Sequence, residues 1–416
     1  MLKVPGVVRR IVEAVLPARM GTSFRWLVGS TWIGNLGDGI SLAAGPLLIA
    51  SQTTDPLLVA LAALLQRLPW LLFGLWAGVL ADRLDRRKLV AGVDLLRAGV
   101  LAVLAATIVG GAVGSGVILG AMLLLGTAEV FADTASQTLL PMVVRRDDLA
   151  IANARLMAGF LTSNQLAGPA LGAALFAAAT ASPFLTQAVC VALGAVLIAR
   201  VRVTAVERPA GPAHVGRDIR DGLRWTRGNA PVRTLTIAIV TFNVTWGAAW
   251  SVLVLYATQR LGVGPVGFGL LNTVGAVGGM AGIAAYDWLA RHASLANIMR
   301  AGLIVETLTH LGLALTTVGW VAAAILFVFG AHAFIWGTTA RTVRMRAVPA
   351  PLQGRVGSLY SIAVFGGILA GQALGGAIAR LWGVTGPFWF AFAGSAAILA
   401  LIWRQLEHIA HADSTA

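Results

Sequence analysis

The chain has few of the residues that mark soluble or disulfide-stabilised proteins. It contains one cysteine, Cys190, in 416 residues, which excludes an internal disulfide framework and leaves that thiol a packing role. Charged residues make up only 12% of the chain, whereas a soluble domain has about 25%. Lys3 and Lys88 are the only lysines beside many arginines, alanines and glycines, a composition we associate with a GC-rich bacterial genome.

Long apolar runs fill most of the chain. Hydrophobic residues make up 58% of it and the mean hydropathy is +0.82, which indicates a polytopic membrane protein. A bilayer core is crossed by about 20 helical residues. We therefore predict an all-α membrane protein with twelve spans, at 24–50, 57–80, 89–110, 117–139, 152–177, 183–203, 235–257, 266–289, 297–318, 320–341, 356–379 and 388–403.

The placement of the basic residues predicts the topology. A net charge of +14 could indicate nucleic-acid binding, but the arginines lie in short loops beside apolar spans, which indicates orientation and contact with anionic lipid instead. With both termini in the cytoplasm, 28 of the 31 basic residues fall on that side, Arg97 included. Arg260 and Arg380 fall outside, and Arg67 falls within a span. We predict a multi-pass protein of the bacterial inner membrane that binds no nucleic acid.

The predicted organisation is two six-span halves joined by a polar loop. Basic residues interrupt the apolar run of the first twenty positions, which predicts an amphipathic surface helix and not a signal peptide. Residues 218–225 can form a second surface helix. The halves repeat weakly, because a similar segment with proline and arginine follows the fourth and the tenth spans. The predicted segments are 1–23 (cytoplasmic N-terminus), 24–203 (first half), 204–233 (central loop), 234–403 (second half) and 404–416 (cytoplasmic tail).

A charged loop separates the second and third spans and reads Gly-Val-Leu-Ala-Asp-Arg-Leu-Asp-Arg-Arg-Lys at 78–88. It resembles the signature loop between helices 2 and 3 of the major facilitator superfamily of secondary transporters. The matching residues are Gly78, Asp82, Arg83, Arg86 and Arg87. Asp85 replaces the usual second glycine, as in the branch of siderophore exporters and macrolide-efflux pumps. The resemblance implies a gating role, with Asp82 contacting the start of a neighbouring helix and the arginines contacting acidic or carbonyl groups.

The fifth span resembles a second element of the superfamily, the Gly-Pro-x-x-Gly-Gly motif of its exporters. Gly168, Pro169 and Gly172 match the motif, whereas Asn164 and Ala173 depart from glycine. Small residues allow close approach of two helices, and proline bends a span. The resemblance implies export, while ordinary small-residue packing is the alternative reading of the same residues.

Four charged residues stand out near the middle of predicted spans: Asp38, Arg67, Glu129 and Glu306. Each costs at least about 2.5–3.5 kcal/mol to insert, so each calls for a role. Each lies 10 to 12 residues from the outer end of its span, which is about 15–18 Å deep. We hypothesise that Asp38 pairs with Arg67 in one conformational state and that protonation of Asp38 weakens the pair and lets the halves rock; a permanent structural pair is the alternative. Asp133, one turn nearer the cytoplasm than Glu129, is predicted to bond near its helix end.

Aromatic and amide side chains in the spans are candidates to line a cavity. An apolar, aromatic lining suits bulky amphipathic molecules better than sugars. Each of these residues has packing, or a place in a lipid-facing belt, as its alternative role, and for the histidine the alternative is a buried neutral imidazole. The candidates are Trp32, Trp70, Phe131, Asn243, Trp246, Trp250, Trp336 and His332.

The predicted function is transport without a cofactor. The sequence has no phosphate-binding loop, no cluster with metal-ligand spacing and no set of nucleophile and base, which argues against an ATP-driven pump or an enzyme. The resemblance implies proton-coupled efflux of a hydrophobic or amphipathic small molecule, of antibiotic or siderophore type, by a monomer that uses the proton gradient as its energy source. The alternatives are an uptake or lipid transporter of the same fold, or a non-transporting sensor or assembly partner.

Overall fold

A computed structural model of the protein describes residues 17–203 and 215–406. Nearly all of these residues are helical. Each of the twelve predicted spans corresponds to one helical element. Two of these elements are interrupted: the fifth by a π-helical stretch, Phe160–Ala167, and the seventh after Ser251. The helices are α1 Gly21–Gln52, α2 Pro56–Arg83, α3 Arg86–Val109, α4 Ser115–Gln137, α5 from Leu149 to Ala178, α6 Ser182–Ala199, α7 from Ala230 to Arg260, α8 Pro265–His292, α9 Leu295–Leu315, α10 Gly319–Ala347, α11 Gln353–Trp382 and α12 Gly386–Ile402.

The described helices confirm a multi-pass, all-α membrane protein. Nine are long and apolar enough to cross a bilayer, and a tenth qualifies if the two pieces of α7, bent by 46°, count as one span. The other two predicted spans fall short for local reasons. The π-helical stretch divides α5 into pieces of 11, 8 and 11 residues, and α12 has 17 residues.

The chain divides into two compact units. The first comprises Met1–Gly45 and Leu72–Gly211, and the second comprises Pro46–Leu71 and Pro212–Ala416. Within the first unit α3 packs against α4 and α6; within the second, α7 packs against α11, α8 against α10, and α9 against α10 and α12. Each unit buries its own apolar side chains, such as Phe24 and Leu139 in the first and Leu235 and Met299 in the second.

The segment before α7 contains the predicted surface helix, at Val215–Gly228. It packs on α11, where Asp221 lies 3.3 Å from the Arg355 guanidinium. Asn229 then caps the N-terminus of α7 by accepting a hydrogen bond from the Val232 amide. The predicted N-terminal surface helix (1–16), the middle of the central loop (204–214) and most of the tail (407–416) lie outside the described residues.

Candidate functional site

A cluster of charged side chains lies inside the first unit, centred on Arg97. Arg97 is the twelfth residue of α3 and is 4% exposed. Its guanidinium forms an ion pair with Asp38 of α1, and a second one with Asp94 of α3 at 3.2 Å. Glu129 and Asp133 of α4 also interact with it electrostatically. Four carboxylates therefore surround one guanidinium.

This position of Arg97 corrects two predictions. Arg97 was assigned to the cytoplasmic side because it follows the basic run at the start of α3, but it lies about 16 Å along the helix from Arg86. Asp38 was predicted to pair with Arg67, and the structure pairs it with Arg97. The sequence did contain a signal for a buried Arg97. Asp94 and Arg97 lie three residues apart inside an apolar run, a spacing that lets them pair on one helix face.

The cluster joins four helices of the first unit. Besides Arg97 and Asp94 on α3, it receives Asp38 from α1 and a hydrogen bond from α6, where the Gln187 amide donates to the Asp38 carboxylate over 3.4 Å. Asp133 was predicted to bond near the end of α4. It lies four residues before the last residue of α4 and interacts with the Asp38, Glu129, Asp94 and Arg97 charges, while its bond near the helix end stays a prediction.

The predicted exporter-type motif of α5 packs directly on α1 beside Asp38. A Cβ atom on Gly168 would meet the backbone of Gly39 at 2.5 Å, and one on Gly172 would collide with the carbonyl of Ile40. The π-helical stretch that precedes Gly168 places the buried Asn164 amide 3.3 Å from the Asn35 carbonyl. The small residues therefore allow the two backbones to touch; their role in export stays a prediction.

Replacing Gly172 with alanine is expected to weaken the α1–α5 contact. The added methyl group meets the Ile40 backbone, which cannot rotate away, so we expect a loss of about 1–3 kcal/mol in the free energy of unfolding. The measurement is thermal unfolding of the detergent-purified protein. The control is Gly34→Ala, because a Cβ at Gly34 of α1 meets no atom within 4 Å. Equal stability of the two variants would contradict the contact.

A second buried polar group lies in the second unit, between α9 and α10. Glu306 accepts from His310 Nε2 at 2.9 Å through one carboxylate oxygen and contacts His332 Nε2 at 3.3 Å through the other. The three side chains are 1%, 0% and 4% exposed. Trp250 of α7 lies edge-on to His310, with ring centroids 6.3 Å apart. We call Glu306, His310 and His332 the carboxylate–imidazole triad.

Sequence reasoning identified two members of this triad separately and missed the third. Glu306 was selected as an intramembrane charge and His332 as a cavity candidate, and the structure places them in contact. His310 was passed over. Its spacing of four residues from Glu306, which puts both on one helix face, was the available signal.

The predicted cavity residues occupy several places within the units. Trp246 and Trp250 stack at 5.7 Å, the buried Trp336 stacks on Phe242, and Trp70 stacks on Phe365. The remaining predicted candidates each make a local contact: Trp32 donates to the Arg155 carbonyl, Asn243 donates to the Ile239 carbonyl, and Phe131 lies 6.4 Å from Phe73. Whether they line a substrate path stays a prediction.

The charged loop at 78–88 ends α2 at Arg83 and begins α3 at Arg86. Arg86 donates to the Ala81 carbonyl at 3.1 Å, and Arg87 donates to the Val201 carbonyl, after α6, at 2.8 Å. Both arginines thus bind carbonyl groups, as expected for this motif. Arg83 is exposed, and a Cβ at Gly78 meets nothing within 4 Å. The side chain of Asp82 lies outside the described residues, and the gating role of the loop stays a prediction.

Asp85, which departs from the superfamily signature, is the N-cap of α3. Its carboxylate accepts from the amides of Arg87 and Lys88 and contacts the Arg87 guanidinium at 3.0 Å. The hydrogen bond from the Arg87 side chain, with those from the two amides, holds the pKa of Asp85 below its ordinary value. Glycine lacks a side chain to make these bonds, so the substitution adds a helix cap.

Replacing Asp85 with alanine is expected to lower the free energy of unfolding by about 1 kcal/mol, the usual value of an N-cap. Asp85→Asn is the matched control, because asparagine caps helices as well. Because the folded-state pKa is lowered, the contribution is complete at pH 7 and fades as the pH falls below about 4. Unfolding midpoints of wild type and both variants at neutral and acid pH measure this, and an Asp85→Asn variant as unstable as Asp85→Ala would argue against a cap.

Comparison with known proteins agrees with this architecture. A family model described as transmembrane secretion effector matches residues 14–416. The multidrug efflux pump Tap of Mycolicibacterium fortuitum is 27% identical over 361 residues, covering 80% of this chain and 85% of the relative. A bacterial homologue of the iron transporter ferroportin has a TM-score of 0.72 at 17% identity, covering 93% of this chain and 98% of the homologue. The nucleoside transporter NupG has a TM-score of 0.72 at 12% identity, covering 93% and 99%.

Proposed function

This chain belongs to the transmembrane secretion effector family of the major facilitator superfamily, and from that membership we propose that it is a proton-coupled exporter of hydrophobic or amphipathic small molecules. It is a transporter and not an enzyme. Our proposal places it in the inner membrane of a bacterium, with both termini in the cytoplasm. The likeness to a multidrug efflux pump supports export of drug-like molecules over uptake.

The charge imbalance around Arg97 carries the coupling part of the proposal. Asp38, Asp94 and Asp133 share the one guanidinium of Arg97, so with all three ionised these carboxylates carry two negative charges more than the cation that they share. An unpaired charge buried in a membrane protein is costly, and protonation relieves the cost. The cluster therefore holds protons, and a conformational change that alters its exposure to water releases or reloads them.

Asp38 is the member best placed to link proton binding to movement. It is the one carboxylate on α1, its side chain is 22% exposed, and it shares Arg97 with Asp94. When Asp38 takes up a proton it loses its ion pair, and Arg97 stays paired with Asp94 of α3. The interaction between α3 and α1 then weakens, because this ion pair joins the two helices. Because α1 touches α5 backbone to backbone at Gly39, a small shift of α1 changes that contact as well.

A substrate with a positive charge and an aromatic body fits the chemistry of this chain. Its charge competes with protons for the carboxylates, which gives exchange of one for the other. Aromatic side chains bind such cations through their ring faces. Ethidium is therefore a suitable first probe, together with a labelled siderophore as a probe of the other substrate class.

The test is uptake of ethidium into inverted membrane vesicles with an imposed pH gradient, acid inside. We expect wild-type uptake that nigericin abolishes, because nigericin collapses the gradient. Asp38→Asn is expected to reduce gradient-driven uptake at least about tenfold, equivalent to ~1.4 kcal/mol of lost coupling. Asp147→Asn, the same substitution at an exposed position, is expected to leave uptake unchanged.

The other outcomes separate the alternatives. Uptake that persists with nigericin, or that Asp38→Asn leaves intact, would contradict proton coupling through this cluster. Accumulation in right-side-out vesicles instead of inverted ones would indicate an uptake transporter. Absence of movement for ethidium and for the siderophore would contradict the proposed substrate classes and favour a sensor or assembly partner.

A further inference from the structure

The carboxylate–imidazole triad occupies, in the second unit, the positions that the Arg97 cluster occupies in the first. Arg97 is the twelfth residue of α3, and Glu306 is the twelfth residue of α9. Glu129 is the fifteenth residue of α4, and His332 is the fourteenth of α10. The third and fourth helices of each half thus carry an ionisable pair at matching depth, with the acid and the base exchanged.

The charges of the triad balance only when it holds an extra proton. If both imidazoles are neutral, Glu306 is a lone negative charge buried among apolar helices. One more proton, held by an imidazole, makes the group neutral, and a second would make it positive. Among the described residues, the charges that act on Glu306 are those of His310 and His332.

The ionisable side chains of the surrounding helices are engaged elsewhere or lie near helix ends. Arg300 of α9 donates to the Trp403 carbonyl, and Arg233 of α7 donates to the Arg227 carbonyl. The Tyr286 hydroxyl of α8 lies 3.5 Å from Thr339. The arginines of α10 lie in its last two turns, and α12 has no ionisable residue. Among the described residues, therefore, no cationic side chain of these helices balances the charge of Glu306 in place of the extra proton.

The remaining ring atoms distinguish the triad from a fully bonded structural network. Nδ1 of His310 and Nδ1 of His332 are buried, and neither has a hydrogen-bond partner among the described residues. Buried polar atoms of structural networks are normally paired. Phe242 and Phe329 lie edge-on to His332, at 6.4 and 5.9 Å, and Trp250 lies edge-on to His310.

We propose that Glu306, His310 and His332 form a second proton-binding site, which holds one proton beyond those of two neutral imidazoles and exchanges it during transport. The binding of the proton is independent of what the protein transports. Its exchange rests on the function proposed above. The chain would then couple transport to two groups of protons, one in each unit.

The first experiment tests proton binding alone. The protein has six histidines; replacing the other four (His214, His292, His408 and His411) with glutamine leaves only the two rings of the triad. In ¹⁵N-histidine-labelled protein at pH 7, we expect one ring with both nitrogens protonated, and we expect Glu306→Gln to abolish that signal. Asp38→Asn is the control, and it should leave the spectrum unchanged. Two neutral rings throughout about pH 5–8, the range in which histidine titrates, would overturn the proposal.

The second experiment tests exchange. The protein in liposomes is given a series of pH gradients, and the slope of the logarithm of ethidium accumulation against the gradient counts the protons exchanged per ethidium. We expect Glu306→Gln to lower that count by one. An unchanged slope would overturn the exchange step. If the wild type accumulates no ethidium, the proposed function fails in this assay and the exchange step is withdrawn with it, while the nitrogen spectra still decide proton binding.

Discussion

Arg97→Met is expected to lower the free energy of unfolding by about 3–5 kcal/mol, the usual effect of removing one partner from a buried ion pair. Methionine has similar length and suits an apolar surrounding, so the loss reports the charge and not a cavity. Without the guanidinium, Asp38, Asp94 and Asp133 lose the cation that they share, and we expect them to stay protonated. A carboxylate that never ionises cannot release a proton, so we also expect gradient-driven transport to fall roughly 100-fold, or ~2.7 kcal/mol.

Two further variants separate charge from geometry at this position. Arg97→Lys keeps the charge but cannot reach Asp38 and Asp94 with two arms of one planar group, so it should recover part of the stability. The double variant Arg97→Met, Asp38→Asn loses the positive charge of Arg97 and the negative charge of Asp38 together. It should therefore be more stable than Arg97→Met alone. Denaturation in detergent at pH 7 measures all three. Wild-type stability in Arg97→Met would show that the cluster does not depend on its cation.

The second large effect is expected from Glu306→Leu. Leucine fills a similar volume but leaves Nε2 of His310 and of His332 without their acceptor. Each unpaired buried donor costs about 1–3 kcal/mol, so the free energy of unfolding should fall by about 2–6 kcal/mol. Thermal unfolding in detergent measures the change. Glu306→Gln is the matched control, because its amide oxygen still accepts one hydrogen bond, and it should lose less.

Removing the whole triad gives the converse result. When Glu306, His310 and His332 are all replaced by leucine, no polar atom of the triad remains buried, and we expect most of the stability to return. The number of protons exchanged per ethidium should stay one below that of the wild type if the triad exchanges a proton. A triple variant less stable than Glu306→Leu would show that the two imidazoles contribute through contacts other than the carboxylate.

The membrane class and the positions of the helices were predictable from the sequence. Each predicted span corresponds to a described helix because insertion depends on the local hydropathy of about 20 residues. The two predicted spans that fail the length test, α5 and α12, fail for a local reason, a π-helical stretch and a short apolar run. The intramembrane residues Asp38, Glu129 and Glu306 were identified in the same way, since each is a charge in an apolar run.

The partners of those charges were decided by tertiary structure alone. Asp38 and Arg97 are 59 positions apart, and Glu306 and His332 are 26 apart. Hydropathy and helical periodicity say how deep a side chain lies and which neighbours share its own helix. They do not say which faces of two different helices meet, because that depends on how side chains and glycines such as Gly39 and Gly172 pack. The sequence therefore determined that buried charges exist in both halves of this protein, and packing decided that Arg97, not Arg67, neutralises Asp38 and that two histidines share Glu306.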